Sequence, residues 1–267
     1  MQAYQDHLLK LLGRIHNYNH VRSSVLSARD AGIQNISLDL IFGIPGQSIR
    51  DWNETLDAAL DLCPEHISAY GLIPEEGTPI NRDLECGLIR LPDPDEERKM
   101  YSAAIRKLSE NGYHQYEISN FAKHKYECRH NIGYWRQIPY IGLGLSAASM
   151  YDVKYSINGM SSIRRTNPSS MNDYRDMVML RGCRTSTEMI NEKESRFETL
   201  MLGLRMNNGI SEKDFYRMHR IPMELCYGSR LKELEYKGLM KHENGCWKLT
   251  SRGFDIQNSI LVELMDE

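Results

Sequence analysis

One stretch constrains the fold more than any other: "NISLDLIFGIPGQSIRDWNETLDAALDLCPEHISAYGLI", residues 35 to 73. Ile36 to Phe42 is a short apolar run broken by Ser37 and Asp39, and Gly43, Pro45 and Gly46 end it. That reads as a buried strand running into a tight loop. Ser48 and Asp51 have the spacing of a capping box, which opens a helix over "IRDWNETLDAALDL". "HISAYGLI" then reads as a second strand. Strand, loop, helix, strand is the unit of a parallel sheet, because parallel neighbours need a crossover rather than a hairpin. The fold class this predicts is α/β.

The flanking segments extend the pattern. Apolar positions in "AYQDHLLKLLG" predict a helix over residues 3 to 13, stopped at Gly13, and another spans Asn19 to Ala31 and closes at Gly32. Residues 74 to 92 read as a Gly/Pro-rich loop. Asp93 and Pro94 open a helix that ends at Gly112. "YHQYEIS" alternates like a strand. "YIGLGLSAASMY" is apolar and punctuated by glycine, which suits a backbone lying close to something. Asn158-Gly159 sits between two strand-like halves, a hairpin signal. From about residue 186 the pattern becomes helical. A capping box is expected at Ser211, a helix over "YGSRLKELEYKG" stops at Gly238, a hairpin has Asn244-Gly245 at its tip, and a last helix follows. Helix, helix, helix, hairpin is the order of a winged-helix domain.

Composition narrows the function classes. With a net charge of −3 over 267 residues, the chain has no global attraction for nucleic acid. The expected recognition helix sets Arg230, Lys232 and Lys237 against Glu233 and Glu235, so the wing reads as structural or interacting and no nucleic-acid partner is expected. No apolar run is long enough for a transmembrane segment. Cysteines at 63, 86, 128, 183, 226 and 246 form no CxxC or CxxxCxxC. By spacing, this is neither a zinc ribbon nor an iron–sulfur loop. Scattered thiols without a signal sequence read as reduced, mostly buried residues in a cytoplasmic setting.

Two motifs carry candidate chemistry. Asp39 is a carboxylate in the middle of an apparently buried strand, at the edge where α/β folds bind ligands. It either caps the turn at Gly43, pairs with an Arg, or faces a ligand. The loop "FGIPGQ" lacks both the dinucleotide spacing and a P-loop lysine, so it reads as a turn. "YECRHNIGYW", residues 126 to 135, places His130 within five positions of Tyr134 and Trp135. An imidazole between aromatic faces suits a metal, a flat iron-containing ligand, or a hydrogen-bonded structural knot.

In order along the chain, "LLGRIHN", "ISLDLIFGIPGQ", "HISAYGLIPEEGTP", "YEISNFAK", "ECRHNIGYW" and "YIGLGLSAAS" resemble the radical S-adenosylmethionine heme chaperone family HemW, itself related to oxygen-independent coproporphyrinogen III oxidase. The HN-x-x-YW signature is the most specific piece. The resemblance implies the later part of a radical S-adenosylmethionine (β/α) barrel over residues 1 to 120. It then implies an α+β extension over 121 to 185 and a winged-helix-like domain over 186 to 267. The family's CxxxCxxC loop, which holds a [4Fe–4S] cluster, does not occur here, so the chain is expected to be an N-terminally truncated form. By resemblance Gln2, Arg14 and Asp39 contact S-adenosylmethionine. Arg14 would take its carboxylate in a charge-assisted pair, and Tyr70 would line the same pocket. His130 would meet heme as the iron ligand, with Asn131, Tyr134 and Trp135 shaping the place. Many relatives carry a further His after the glycine-rich strand, where this chain has Ala147, Ala148 and Ser149. The implied function is heme binding and delivery to a recipient hemoprotein. The alternative is the oxidase's radical decarboxylation in porphyrin biosynthesis. A homodimer is compatible with either.

Overall fold

The computed structural model describes residues 1–157, 160–179 and 185–265. It forms two compact units, Met1–Cys128 and Arg129–Glu267.

The first unit runs α1 (Asp6–Leu11), α2 (Tyr18–Asp30), β1 (Ser37–Phe42), α3 (Ile49–Asp61), β2 (His66–Gly71), α4 (Pro79–Glu85), α5 (Pro94–Glu110), β3 (His114–Glu117) and β4 (Asn120–Ala122). β1 and β2 are parallel, from Ser37 beside His66 to Phe42 beside Gly71, with α3 as the crossover. The sheet order is β1-β2-β4-β3, and β4 and β3 are antiparallel additions. Gln2 bridges Leu40 on the outer side of β1, donating its N–H to the Asp39 carbonyl at 2.7 Å. The sheet is open: its described strands do not close into a barrel.

The core lies on one face. Leu38, Leu40, Phe42, Ile67, Ala69 and Phe121 pack against Trp52 and Leu56 of α3 and Met100, Ala104 and Leu108 of α5. Trp52 is wholly buried and donates its indole N–H to the Met100 carbonyl at 2.8 Å, so its burial strands no polar atom. The capping box at Ser48 and Asp51 forms as expected. A second one opens α2 at Asn17, with His20 returning the bond. Each such cap stabilises a helix start by about 1 kcal/mol. In "FGIPGQ", Gly43 and Gly46 take positive φ, and the Gln47 side chain accepts from the Ile44 N–H at 3.2 Å. The loop is a knotted turn.

Four expectations change. The stretch from 74 to 92 contains α4, started by the Thr78 cap with Pro79 at its first position. The first helix is shorter than predicted, because residues 1–3 make a tight turn beside β1, with Gln2 at positive φ and the Ala3 N–H bonded to the Met1 carbonyl at 2.7 Å. "YHQYEIS" turns at residues 118–119, so β3 pairs with β4 instead of continuing. The described cysteines are not core residues: Cys63 and Cys86 are exposed, and Cys128, Cys226 and Cys246 are half-buried. Cys183 lies outside the described residues.

The second unit runs α6 (Arg129–Trp135), β5 (Ala148–Ile157), β6 (Met160–Thr166), α7 (Met171–Val178), β7 (Ser186–Asn191), α8 (Glu192–Gly203), β8 (Ile210–Ser211), α9 (Glu212–His219), α10 (Met223–Tyr236), β9 (Met240–Glu243), β10 (Cys246–Leu249), α11 (Ser251–Asp255) and α12 (Gln257–Met265). β5-β6-β7 make an antiparallel sheet, and β8-β10-β9 make the wing. β5 and β6 pair as a hairpin would, although the turn residues Asn158 and Gly159 lie outside the described residues. At the wing tip Asn244 and Gly245 both take positive φ, the geometry a two-residue hairpin turn demands. Ser211 caps α9 by accepting from the Asp214 N–H, without a reciprocal bond. Leu200, Leu204, Phe215, Leu231, Leu234, Trp247 and Ile260 build one core.

Two features of this unit generate predictions. A Cβ on Gly253 would sit 2.0 Å from the Leu239 carbonyl oxygen. Gly→Ala normally favours a helix by up to ~1 kcal/mol; here backbone must move, so Gly253→Ala should destabilise by roughly 2–4 kcal/mol in chemical denaturation. The second feature is His219, whose Nε2 lies 2.8 Å from the Thr199 hydroxyl. That hydroxyl also meets the Ser195 carbonyl at 2.8 Å and the Gln137 side-chain oxygen, so the imidazole sits in a buried hydrogen-bond cluster. Burial, aided by Arg196, holds the imidazole down to about 4. The folded value is below the unfolded one near 6.5, so the unfolded chain binds the proton first. The stability His219 contributes is complete above pH ~6.5 and is lost as pH falls towards 4. A denaturation series from pH 7 to 4 should show this loss, and His219→Gln should flatten it.

Candidate functional site

In β1 the even-numbered residues Leu38, Leu40 and Phe42 are buried, while Ser37 and Asp39 are exposed. Asp39 is therefore not a buried carboxylate. It stands on the sheet face opposite the main core, the face on which Ile41 packs against Leu8 and Leu9 of α1. Parallel register places Ser68 beside Asp39 and Tyr70 beside Ile41, and antiparallel register places Asn120 beside Ser68. The same face holds a buried polar chain that sequence reasoning missed. His66 Nδ1 lies 2.8 Å from Ser37 Oγ and its Nε2 lies 2.8 Å from the Tyr116 hydroxyl. Glu117, wholly buried, accepts from the Asn120 side-chain amide and from the Ser119 N–H. Burial pushes His66 down, and the charge of Asp39 opposes that shift.

Of the sequence-derived candidates of this unit, Gln2 lies on the outer side of β1, Asp39 is on β1 itself and Tyr70 is on β2. Gln2 pairs along β1 beside Asp39, and its Oε1 is buried with no hydrogen-bond partner. The Met1 amino group feels both Asp39 and Arg14: burial lowers it most, Asp39 raises it and Arg14 lowers it further. Arg14, just past the turn at Gly13, is exposed. Tyr70 is 41% exposed near the carboxyl end of β2. The Met1 amino group thus lies within electrostatic reach of a carboxylate and a guanidinium.

The second candidate cluster is α6. His130 is exposed, and its ring meets Tyr134 edge-on at 4.7 Å between centroids. Tyr134 meets Tyr140 in the same way, also at 4.7 Å. In this ladder His130 and Tyr134 are exposed and Tyr140 is half-buried, and Ile138, Ile141 and Leu143 of the segment after α6 are exposed. Tyr140 was not among the sequence-derived candidates; its contact with Tyr134 depends on the chain returning after α6, which no local signal reports. Gly142 meets the expectation of close backbone approach, since a Cβ there would lie 2.1 Å from the Ala148 carbonyl oxygen. Trp135 leaves this ladder. It points to another side of α6, under the Arg205 guanidinium at 4.6 Å. Among the described residues no three His, Cys, Asp or Glu side chains are grouped to hold a metal ion, and no helix is long and apolar enough to cross a membrane.

The placement of Asp39 can be tested directly. If Asp39 and His66 share the sheet face, Asp39→Asn removes a charge that raises His66. The His66 titration followed by NMR should then move to lower pH, with the fold unchanged.

Comparison with known proteins supplies the lineage. A family model described as the HemN C-terminal domain matches residues 190–256. The heme chaperone HemW of Bacillus subtilis is 33% identical over 268 aligned positions, covering 100% of this chain and 68% of that protein. HemW of Synechocystis is 36% identical over 214, covering 79% of this chain and 50% of that protein. A zebrafish mitochondrial protein, radical S-adenosyl methionine domain-containing protein 1, is 36% identical over 209 and covers 78% of this chain and 47% of that one. The chain thus spans between about half and two thirds of these relatives. The solved structure of coproporphyrinogen III oxidase HemN from Escherichia coli, a radical SAM enzyme, superimposes with a TM-score of 0.75 at 18% identity, over 100% of this chain and 62% of that one. At that identity it speaks for the fold, an α/β arrangement of radical S-adenosylmethionine type. The match to the Bacillus subtilis protein, at one third identity over the whole of this chain and 68% of that protein, decides the lineage: this chain belongs to the HemW family.

Proposed function

We propose that the chain binds heme at the exposed face of α6 and passes it to a recipient hemoprotein. The observation that carries this reading is the His130–Tyr134–Tyr140 ladder. A solvent-facing imidazole with nothing bonded to its ring leaves a nitrogen lone pair for iron. The flanking rings, with Ile141 and Leu143, offer apolar surface to a macrocycle. Asn131 lies one residue on from His130 and helps to shape that end of α6. An exposed site also suits transfer, since a recipient can reach cargo that is not enclosed. The names of the relatives, heme chaperones, point the same way.

The first unit has a separate role in this reading. Gln2, Arg14, Asp39 and Tyr70 fit the polar end of S-adenosylmethionine, because the buried Gln2 Oε1 lacks a donor and Arg14 can take a carboxylate. With a [4Fe–4S] cluster, S-adenosylmethionine supplies radical chemistry in proteins of this kind. The six cysteines of this chain are not spaced to hold such a cluster. The residues here orient and neutralise the ligand.

The test is a heme titration followed at the Soret band. Wild type, His130→Ala and the exposed control His124→Ala are compared. Losing even an outer-shell partner costs a metal site about 10- to 100-fold. His130→Ala should therefore shift the band and weaken binding by at least about tenfold, while His124→Ala behaves as wild type. An unchanged band and affinity in His130→Ala would return the motif to a structural role.

A further inference from the structure

The second unit contains a cavity that the heme ladder does not use. Its volume is about 380 Å³, within the range of small-molecule sites. Trp135, Ile138, Met206, Ile210, Phe215 and Met218 make its walls apolar. Met206, Ile210 and Phe215 are core residues, so the walls are fixed rather than collapsed loops. Its charges are lopsided. Arg217 on the wall is already paired with Asp214 at 3.1 Å. Arg136, also on the wall, forms no ion pair among the described residues. Behind the Trp135 ring stands the Arg205 guanidinium, and both Trp135 Nε1 and Arg205 Nε are buried without an acceptor. Buried donors in native structures nearly always have partners. An apolar slot with one guanidinium on its wall, Arg136, unpaired among the described residues, suits a ligand that brings its own acceptor.

We propose that this cavity binds one edge of a flat apolar ring bearing a carboxylate arm, with Arg136 as the anion contact and no iron ligation. The choice of a porphyrin carboxylate as occupant rests on the heme reading above. The motif on α6 would then serve two contacts: His130 and Tyr134 on one stripe of the helix, Trp135 on the next.

The test uses iron-free protoporphyrin IX, which has no metal for His130 to ligate, and its dimethyl ester, which has lost both charges. Binding is followed by porphyrin emission for wild type, Arg136→Met, Asn208→Trp and His130→Ala. Asn208 is exposed on the cavity wall, so a bulky ring there blocks the slot without disturbing the core. Wild type should prefer the free acid. Arg136→Met should weaken the free acid by about tenfold and leave the ester unchanged, as expected for one charge-assisted hydrogen bond. Asn208→Trp should weaken both, and His130→Ala neither. Equal affinity of wild type for acid and ester, or wild-type binding by Arg136→Met and Asn208→Trp, would overturn the proposal. Heme binding indifferent to His130→Ala, alongside the expected protoporphyrin results, would remove the axial-ligand reading and leave the cavity site standing.

Discussion

The first unit depends on a sheet whose main core lies on one face. The parallel β1–β2 pair requires a crossover, and α3 and α5 both pack onto Leu38, Leu40, Phe42 and Ile67. The other face is mixed. Ile41 packs with Ala3, Leu8, Leu9 and Ile44. Polar groups there bond one another: Ser37 with His66, His66 with Tyr116, Glu117 with Asn120. Asp39 is exposed beside them. Polar groups are therefore ordered on that face before any particular residue is assigned a role.

The parts legible in the sequence were those set by local chemistry. The capping box at Ser48, the cap at Asp93 and the Asn244-Gly245 turn each depend on residues within three positions. Asp39 was misread as buried because a short apolar run before a glycine loop is typical of a strand covered on both faces. The alternation in "SLDLIF" carried the correct answer, with period 2 and only the even positions inside. The helix at Pro79 was missed although Thr78-Pro79 is a start signal, because the surrounding glycines and prolines suggested a loop. The buried pairing of His66 with Tyr116 spans 50 residues and leaves no local trace.

The motif on α6 shows how contiguous sequence divides in space. Successive residues on a helix turn by about 100°. His130 and Tyr134 lie four apart and share a stripe, while Asn131 and Trp135 occupy the next. Ten residues that look like one cluster when written out therefore face different surroundings: an open aromatic ladder on one side, and an arginine-backed wall on the other.

The ion pairs of the winged unit have a consequence for encounter rates. Arg230 and Lys237 meet Glu233, Lys232 meets Glu224, and Lys241 and Lys248 both meet Glu243. Charges neutralised within a few ångströms cast almost no field beyond a Debye length. A partner approaching the surface of α10 and the β9–β10 hairpin gains little electrostatic guidance, so association there should proceed near the unsteered rate of roughly 10⁵–10⁶ M⁻¹s⁻¹ and vary little with ionic strength. Selectivity on this surface would then rest on how long a fitted complex lasts, not on how often one forms.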